Sequence, residues 1–432
     1  MKFSESLTKL LILTLSLLVV FVTYKSLKIN STISTKYMIY IIFLISLILI
    51  FSIIFFFKKD IINEALIVFF SILISLYFIQ CFSTYKNLKK VWLFNKKNEV
   101  KYDLRSYNEV LKSGNFFPRI SSGYFVNDVS NIFPLGTISN RKILACNENG
   151  YFSHYNSDRF GFNNPDQNWD KKNIDYLVLG DSYMEGDCVF YRDTLMGNLK
   201  NLNKKKNIIS LARGGTGTLF QYAALKEYAQ TKGVKNVLLF FYEGNDLGNI
   251  ENEMKNKVLL NYLDQEYSQN LIYKQNLIDE IILSKSKNLN IETQTGNFYF
   301  HEFSKFIKLK IIRDLIRNYF IFYQRKYTSG LGQFSIVLDE LKEFCVLNNI
   351  KLHIIYLPNY ARYRGIKNKE NFLKYKKIKD LIKKKKIIFL DFAEHLEKQD
   401  QPLENWPFEY HGHLNKKGYK ELANFVNEFI DE

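Results

Sequence analysis

Three apolar runs near the start of the chain constrain its fold more than any other feature. The run from Tyr37 to Phe57 carries no charge, and the run from Ile61 to Phe82 carries only Glu64. Both are long enough to cross about 30 Å of hydrocarbon. The first run, Leu10 to Val22, is shorter and resembles a signal peptide, but no small-residue cleavage site follows it, so we predict that it is retained. Residues 1–90 are therefore predicted to be a membrane region with three transmembrane helices.

The lysines beside these runs give a weak indication of orientation. With three crossings, the two groups of lysines lie on opposite sides of the bilayer, and the larger group lies on the side of the C-terminal part. The positive-inside rule then slightly favours a cytoplasmic C-terminal part, although long domains cross membranes largely regardless of charge. The smaller group is Lys2, Lys9, Lys58 and Lys59, and the larger group is Lys25, Lys28, Lys36, Lys86, Lys89 and Lys90.

The chain is strongly basic, with a net charge of +17. Such a charge suits nucleic acid or an anionic membrane surface. Lysine far outnumbers arginine, however, and asparagine and isoleucine are also abundant, which is typical of an AT-biased genome. No basic recognition helix and no RNA-binding aromatic signature is visible, so we predict no nucleic-acid partner.

The four cysteines show no CxxC spacing, and Cys81 lies inside an apolar run. This pattern argues against a disulfide framework, and it leaves the redox compartment open. Cys188 follows closely on a glycine-rich turn and is predicted to be a core residue.

After residue 90, short apolar runs alternate with helical patterns, which is typical of a parallel α/β sheet. The runs are nearly continuous, as strands buried on both faces should be. Residues 91–170 are predicted to be a lead segment that packs on a domain formed by residues 171–432. Residues 251–330 are predicted to be a helical insertion, either extra scaffold or a lid over the site. The predicted strands are Tyr176–Leu179, Asn207–Leu211, Asn236–Phe241, Leu352–Leu357 and Lys386–Leu390.

Polar motifs follow several of these strands. In an open parallel sheet, ligands bind beyond the carboxyl ends of the strands. The motifs supply a serine for nucleophilic attack, a histidine to take its proton, and donors for the oxyanion of a tetrahedral intermediate. They are GDSYMEG at 180–186, ARGGTGT at 212–218, YEGND at 242–246 and HGHLN at 411–415.

Each motif also has a simpler interpretation. Ser182 could only cap a helix, and Asn245-Asp246 could be an ordinary Asx turn. The glycines at 214, 215 and 217 could bind phosphate, but they fit neither GxGxxG nor the P-loop. His411 and His413 could bind a metal, but no cluster with ligand spacing accompanies them. A catalytic site is favoured over these simpler interpretations because all four motifs occur in order, each beyond a predicted strand.

Together the four motifs resemble the SGNH (GDSL-type) hydrolase superfamily, over roughly residues 115 to 432. The resemblance implies a three-layer, flavodoxin-like α/β domain with a parallel central sheet. It also implies Ser182 and His413 as catalytic residues, with Ser182, Gly215 and Asn245 forming the oxyanion hole. The segments CNENG at 146–150 and SDRFGFNNPD at 157–166 resemble segments of a membrane-attached bacterial branch of this superfamily. That branch implies an inner-membrane protein with an extracytoplasmic domain, against the slight charge bias.

One departure from the family pattern concerns the acid that orients the histidine. Many members place an aspartate two or three residues before it, where this chain has His411 and Tyr410. Glu409 is adjacent in sequence. The chain could therefore be a Ser-His dyad enzyme, could use an acid from elsewhere, or could be a weakened catalyst. Asp181 and Asp246 are predicted to hold turns near the site, and His411 to lie beside the catalytic histidine.

The resemblance implies a serine esterase that acts on acyl esters, acetyl esters above all, of cell-surface carbohydrate, without a metal or an organic cofactor. Two alternatives stay open. One is an acyltransferase that works with a membrane partner protein and passes the acyl group to a carbohydrate acceptor. The other is a catalytically silent binding protein, which the missing acid would favour.

Overall fold

The computed structural model describes residues 2–30, 35–57, 61–97, 101–126, 131–229, 232–287, 298–310, 312–313, 330–363, 369–409 and 412–430. The chain divides into two compact units. The N-terminal unit contains Met1–Asn87 and Glu302–Arg317, and the sheet unit contains Leu88–His301 and Asn318–Glu432.

The N-terminal unit is built from long apolar helices: α1 (Lys2–Asn30), α2 (Thr35–Phe57) and the first part of α3 (Ile62–Lys97). All three are long and apolar enough to cross a membrane, as predicted. Large apolar side chains on them face outward, for example Phe43 at 61% and Phe78 at 78% exposure. Such exposure suits lipid and is unfavourable in water.

The remaining elements follow in chain order. The other α-helices are α4 (Tyr107–Ser113), α5 (Ser182–Glu185), α6 (Leu195–Leu202), α7 (Thr218–Ala229), α8 (Asp246–Glu253), α9 (Lys257–Leu260), α10 (Gln275–Lys287), α11 (Phe298–Ile307), α12 (Leu331–Leu347), α13 (Lys369–Lys384), α14 (Phe392–Glu397) and α15 (Lys416–Ile430). The strands are β1 (Phe117–Pro118), β2 (Lys142–Leu144), β3 (His154–Asn156), β4 (Asn173–Leu179), β5 (Ile208–Ser210), β6 (Gly233–Tyr242), β7 (Lys351–Leu357) and β8 (Ile388–Asp391). Short 3₁₀ turns lie at Ser122–Tyr124, Asp166–Asp170, Tyr191–Asp193, Asn261–Leu263, Leu271–Tyr273, Tyr360–Tyr363, Pro402–Asn405 and Pro407–Glu409.

The main sheet of the sheet unit has five parallel strands in the order β5-β4-β6-β7-β8. Counted along the chain this is 2-1-3-4-5, which is the flavodoxin-like order. All five predicted strands are confirmed, with boundaries shifted by a few residues. Strands β1, β2 and β3 form a separate small sheet within the lead segment.

The alternation of side chains along the central strands creates two cores. In β4, Leu177 and Leu179 enter one core, whereas Tyr176 and Val178 enter the other. Successive residues of a strand point to opposite faces, so a strand covered on both faces is apolar at every position. Helices α7 and α12 cover the first face, and α6 and α15 cover the second. The predicted three-layer α/β fold is confirmed.

The first part of the predicted insertion is packed as scaffold. Leu259, Leu271, Ile278 and Ile282 are fully buried in the same core as α7. Glu227 of α7 accepts hydrogen bonds from Tyr262 Oη at 2.6 Å, from Ser268 Oγ at 2.9 Å and from the N–H groups of Gln269 and Leu271. Residues 288–297, 311 and 314–329 of the insertion lie outside the described residues.

Candidate active site

Ser182 stands where the central strand β4 turns into a helix. Strand β4 ends at Leu179, and Ser182 is the first residue of α5. Asp181 caps this helix, since its Oδ1 accepts the N–H of Tyr183 at 2.9 Å. The short strand-to-helix turn presents the Ser182 hydroxyl at the carboxyl edge of the sheet, where ligands bind in such folds.

His413 is held from both sides on the loop that precedes α15. Asn415 caps α15 by accepting the N–H of Gly418 at 2.9 Å, and its amide donates to the carbonyls of Glu404 and Trp406. On the other side, the Tyr183 hydroxyl donates to the Gly412 carbonyl at 3.0 Å. As a result, His413 Nε2 lies 2.8 Å from Ser182 Oγ, within hydrogen-bonding distance for proton transfer.

A carboxylate from the lead segment meets the other side of the imidazole. Oε2 of Glu148 lies 3.1 Å from His413 Nδ1 and accepts the backbone N–H of His413 at 2.6 Å. Gly412 makes this approach feasible, because a Cβ at that position would lie 2.3 Å from the same oxygen. Ser182, His413 and Glu148 thus form the geometry of a nucleophile, a base and an orienting acid.

Sequence reasoning did not identify Glu148 as this acid. Glu409, the acid close to His413 in sequence, is exposed and has a left-handed backbone with φ of 59°. His411 and Tyr410 lie outside the described residues. The segment CNENG was singled out for its resemblance, but 265 residues separate Glu148 from His413, so no local spacing could pair them.

A disulfide bond ties this segment to the nucleophile turn. Cys146 and Cys188 are bonded, although 42 residues separate them. The Asn149 amide adds a hydrogen bond of 2.9 Å to the Cys188 carbonyl. The expectation of no disulfide was therefore wrong, because the folding of the lead segment, and not a local CxxC spacing, brings the two thiols together.

The glycine turn after β5 lies beside the nucleophile turn. Thr216 Oγ1 donates to the Gly180 carbonyl at 3.2 Å, and Gly215 has a φ of +78° that favours glycine. Within the described part of the chain, the N–H groups of Ser182 and Gly215 have no hydrogen-bond acceptor. They therefore remain available to an anionic oxygen.

Asn245 reaches the same edge from the end of β6. Its amide lies beside the Asp181 carboxyl and favours the charged form of that group. Burial nevertheless raises the pKa of Asp181, and it raises the pKa of Asp246 well above the usual range. Asp246 Oδ2 accepts the N–H of Tyr242 at 2.8 Å, so this carboxyl supports the turn that carries Asn245.

Beside the Ser182–His413 pair lies a buried charged cluster that the sequence did not indicate. Arg119 contacts Glu185 at 2.6 Å and Asp187 at 2.8 Å, and Asp187 Oδ2 lies 3.7 Å from His413 Nε2. Burial raises the pKa of Asp187 to about 7, although Arg119 opposes the shift. Arg213, beside the glycine turn, is 1% exposed and donates to the carbonyls of Ile120 and Gly136.

The electrostatic surroundings favour protonated His413. Burial alone lowers the pKa of the imidazole, but the carboxylates of Glu148 and Asp187 outweigh it and raise the pKa to about 9. An opposite charge within a few ångströms stabilises the imidazolium. This suits a base that must hold a proton during the reaction.

Glu148, Cys188 and His413 also place possible metal-ligand atoms within 4.8 Å of one another. The Cys188 sulfur, however, is bonded to Cys146 and is therefore not a thiolate. Metal binding by a cysteine requires the thiolate, so this set of donors does not fit a zinc site.

No protein-family model and no curated protein matches the chain. Solved structures similar to it include a lipolytic protein of the G-D-S-L family from Desulfitobacterium hafniense, at 14% identity and a TM-score of 0.31, covering 59% of this chain and 99% of that one. A GDSL-like lipase from Bacteroides thetaiotaomicron is 12% identical, with a TM-score of 0.31 and coverage of 60% and 88%. An acetyl xylan esterase is 13% identical, with a TM-score of 0.28 and coverage of 59% and 99%.

Proposed function

We propose that this chain is a membrane-anchored serine esterase of the SGNH type. The observation that carries the proposal is the hydrogen-bonded series Ser182 Oγ, His413 and Glu148, with distances of 2.8 Å and 3.1 Å. A serine needs a base to become nucleophilic, and the base needs a partner that fixes its tautomer and orientation. The chain lacks the usual aspartate shortly before His413, which favoured a catalytically silent protein. In the proposed site, Glu148 takes the place of that aspartate.

In the proposed reaction, Ser182 Oγ attacks the acyl carbonyl while its proton passes to His413 Nε2. The N–H groups of Ser182 and Gly215 and the Asn245 amide stabilise the tetrahedral oxyanion. When this intermediate collapses, His413 returns the proton to the departing alcohol, and the acyl group remains on Ser182. Water then gives up a proton to His413 and attacks the acyl carbon, which forms a second tetrahedral intermediate. This intermediate collapses by breaking the bond between the acyl carbon and Ser182 Oγ, and His413 returns the proton to Ser182 Oγ as the acid leaves.

Glu148 acts in this scheme through His413, as a positioning residue. By accepting the Nδ1 proton it leaves the Nε2 lone pair directed at Ser182, and its negative charge stabilises the imidazolium that forms during attack. The bond from the His413 backbone N–H to the same oxygen ties the orientation of the ring to that of the loop.

The disulfide supports an extracytoplasmic position for the sheet unit. Stable disulfides form in oxidising compartments and are rare in the cytosol. This consideration outweighs the slight lysine bias, because long domains cross membranes largely regardless of charge. With the family resemblance, it favours an acyl ester of cell-surface carbohydrate, an acetyl ester above all, as the substrate.

The test uses the full chain in detergent with a small activated acetyl ester. Ser182→Ala and His413→Ala are each expected to lower kcat by about 10⁴-fold or more, because attack then lacks its nucleophile or its base. Intact mass of the wild type, quenched during turnover, is expected to show one acetyl group that is absent from Ser182→Ala.

His395→Ala is the matched control, since His395 Nε2 pairs with Glu421 at 2.7 Å and, among the described residues, no serine completes that pair. Its kcat is expected to stay within about two-fold of wild type. Wild-type protein that neither turns over esters nor gains an acetyl group would contradict the proposal. The same assay on acetylated and deacetylated polysaccharides then tests the carbohydrate substrate.

A further inference from the structure

The lead segment makes a second contact with the candidate site, at the glycine turn. Residues 119–122 run alongside the glycine turn at 213–215. The Ser121 hydroxyl donates to the Gly214 carbonyl at 3.0 Å, and the Ser122 hydroxyl donates to the same oxygen at 3.1 Å. The Ser122 backbone N–H adds a third, longer bond of 3.4 Å. Three donors thus converge on one carbonyl oxygen.

This carbonyl belongs to the same peptide group as the Gly215 N–H. The peptide is planar and trans, so its N–H points opposite to its C=O. Donors that hold the carbonyl on one side therefore direct the N–H to the other side. Hydrogen bonds to a carbonyl also polarise its peptide group and strengthen its N–H as a donor. Within the described residues this N–H has no acceptor of its own.

The preceding peptide is fixed as well. The Gly214 N–H donates to Glu185 Oε2 at 2.6 Å, and Arg119 and Tyr155 hold the Glu185 carboxylate. Arg119 therefore acts on the turn through Glu185, while the two serines act on it directly. Ser122 is 1% exposed and Glu185 is 4% exposed, so water competes little with these bonds.

We propose that Ser121 and Ser122 are positioning residues that orient the Gly215 N–H toward the substrate oxyanion. The inference rests on the proposed esterase function and adds two residues to it that lie outside the four motifs. Preorganised donors stabilise a transition state because they need no rearrangement as charge develops. Without the two hydroxyls, the flexible Gly214–Gly215 peptide can rotate and lose this orientation.

The test compares wild type with Ser121→Ala, Ser122→Ala and the double variant, as full chains in detergent. Two rates are measured: ester hydrolysis, and phosphonylation of Ser182 by a fluorophosphonate probe, whose P=O group also needs oxyanion donors. Removal of a direct oxyanion donor lowers kcat by about 10²–10³-fold. We expect a smaller fall of about 10-fold or more in both rates for the double variant, with KM within about two-fold.

Three readouts separate positioning from a general loss of structure. The final extent of phosphonylation counts folded sites and is expected to remain at one probe per chain. The pH at which activity falls is expected to stay unchanged, because His413 and Glu148 are untouched. Ser121→Thr keeps the hydroxyl that Ser121→Ala removes, so it is expected to retain most of the wild-type rate of hydrolysis and of phosphonylation.

Ser157→Ala is the matched control, because this buried lead-segment serine also donates to a backbone carbonyl, that of Ile138 at 2.7 Å. It is expected to leave both rates within about two-fold. A fully phosphonylated double variant with wild-type rates would overturn the inference and leave the esterase proposal intact. If the fluorophosphonate probe labels the double variant incompletely, the same criterion is applied to the single variant Ser121→Ala, since Ser121 is partly exposed. Wild type that shows neither hydrolysis nor labelling would overturn both proposals.

Discussion

At the scale of single residues, Glu148 is the group that most strongly raises the proton affinity of His413. It contacts His413 through one carboxylate oxygen, and its charge is the main attraction that raises the pKa of the imidazole to about 9. The base must be neutral to accept the serine proton. We therefore expect kcat/KM of the wild type to fall as the pH drops below about 9.

Glu148→Gln is expected to lower kcat by about 10²-fold or more, since the neutral amide neither stabilises the imidazolium nor fixes the tautomer as firmly. The same change removes the charge that raises the His413 pKa, so the acid limb of the kcat/KM profile should move to lower pH. Profiles for both proteins between pH 5 and 10 measure the two effects.

Glu421→Gln provides the comparison, because Glu421 pairs with His395 and not with His413. It should leave kcat and the acid limb unchanged. An unchanged acid limb together with an unchanged kcat in Glu148→Gln would mean that another group orients His413.

At the scale of elements, the disulfide links the segment that carries Glu148 to the segment that carries Ser182. Cys146 lies two residues before Glu148, and Cys188 lies six residues after Ser182. Replacing both cysteines with serine is expected to lower the free energy of unfolding by about 4 kcal/mol, from the chain entropy of a closed loop of this length. It should also lower kcat, because Glu148 then loses its nearest covalent anchor.

Thermal unfolding and ester hydrolysis of the full chain, with and without a reducing agent, measure these two effects. Cys81→Ser is the control, since Cys81 is a free, exposed cysteine outside the bridge. Full reduction, verified by mass, with no change in Tm or kcat would show that the bridge is dispensable for both.

At the scale of the whole molecule, the disulfide and the lysine distribution predict opposite sides of the membrane for the sheet unit. We expect the disulfide to indicate the correct side, because a cytosolic environment would keep Cys146 and Cys188 reduced. A reporter active only in an oxidising compartment, fused to the C-terminus, should give a signal, whereas a reporter that fluoresces only in the cytoplasm should not.

The same two reporters fused after residue 59, between α2 and α3, should give the reverse pattern, because one crossing fewer separates that point from the N-terminus. Cytoplasmic fluorescence from the C-terminal fusion would contradict the extracytoplasmic position. It would also remove the support for a cell-surface carbohydrate as the substrate.

Those parts of this protein that depend on local patterns could be predicted from the amino-acid sequence alone. Uncharged runs such as Tyr37–Phe57 predicted the long apolar helices, because length and composition alone decide whether a helix can cross a bilayer. Continuous apolar runs predicted the five parallel strands, and the polar residues after them predicted which side chains meet at the carboxyl edge of the sheet. Ser182 and His413, 231 residues apart, could be paired because each stands beside a strand end or a recognisable motif.

The contribution of the lead segment, in contrast, became visible only in the folded structure. Glu148, the Cys146–Cys188 bridge and the serines at 121 and 122 reach the site from irregular chain, where no periodic pattern predicts which side chain points where. The sequence also did not predict buried charges such as Arg213. A lone arginine is usually exposed and becomes a core residue only when distant carbonyls surround it. Local propensity is encoded within a few residues, whereas these contacts join segments that only the packing of the whole domain brings together.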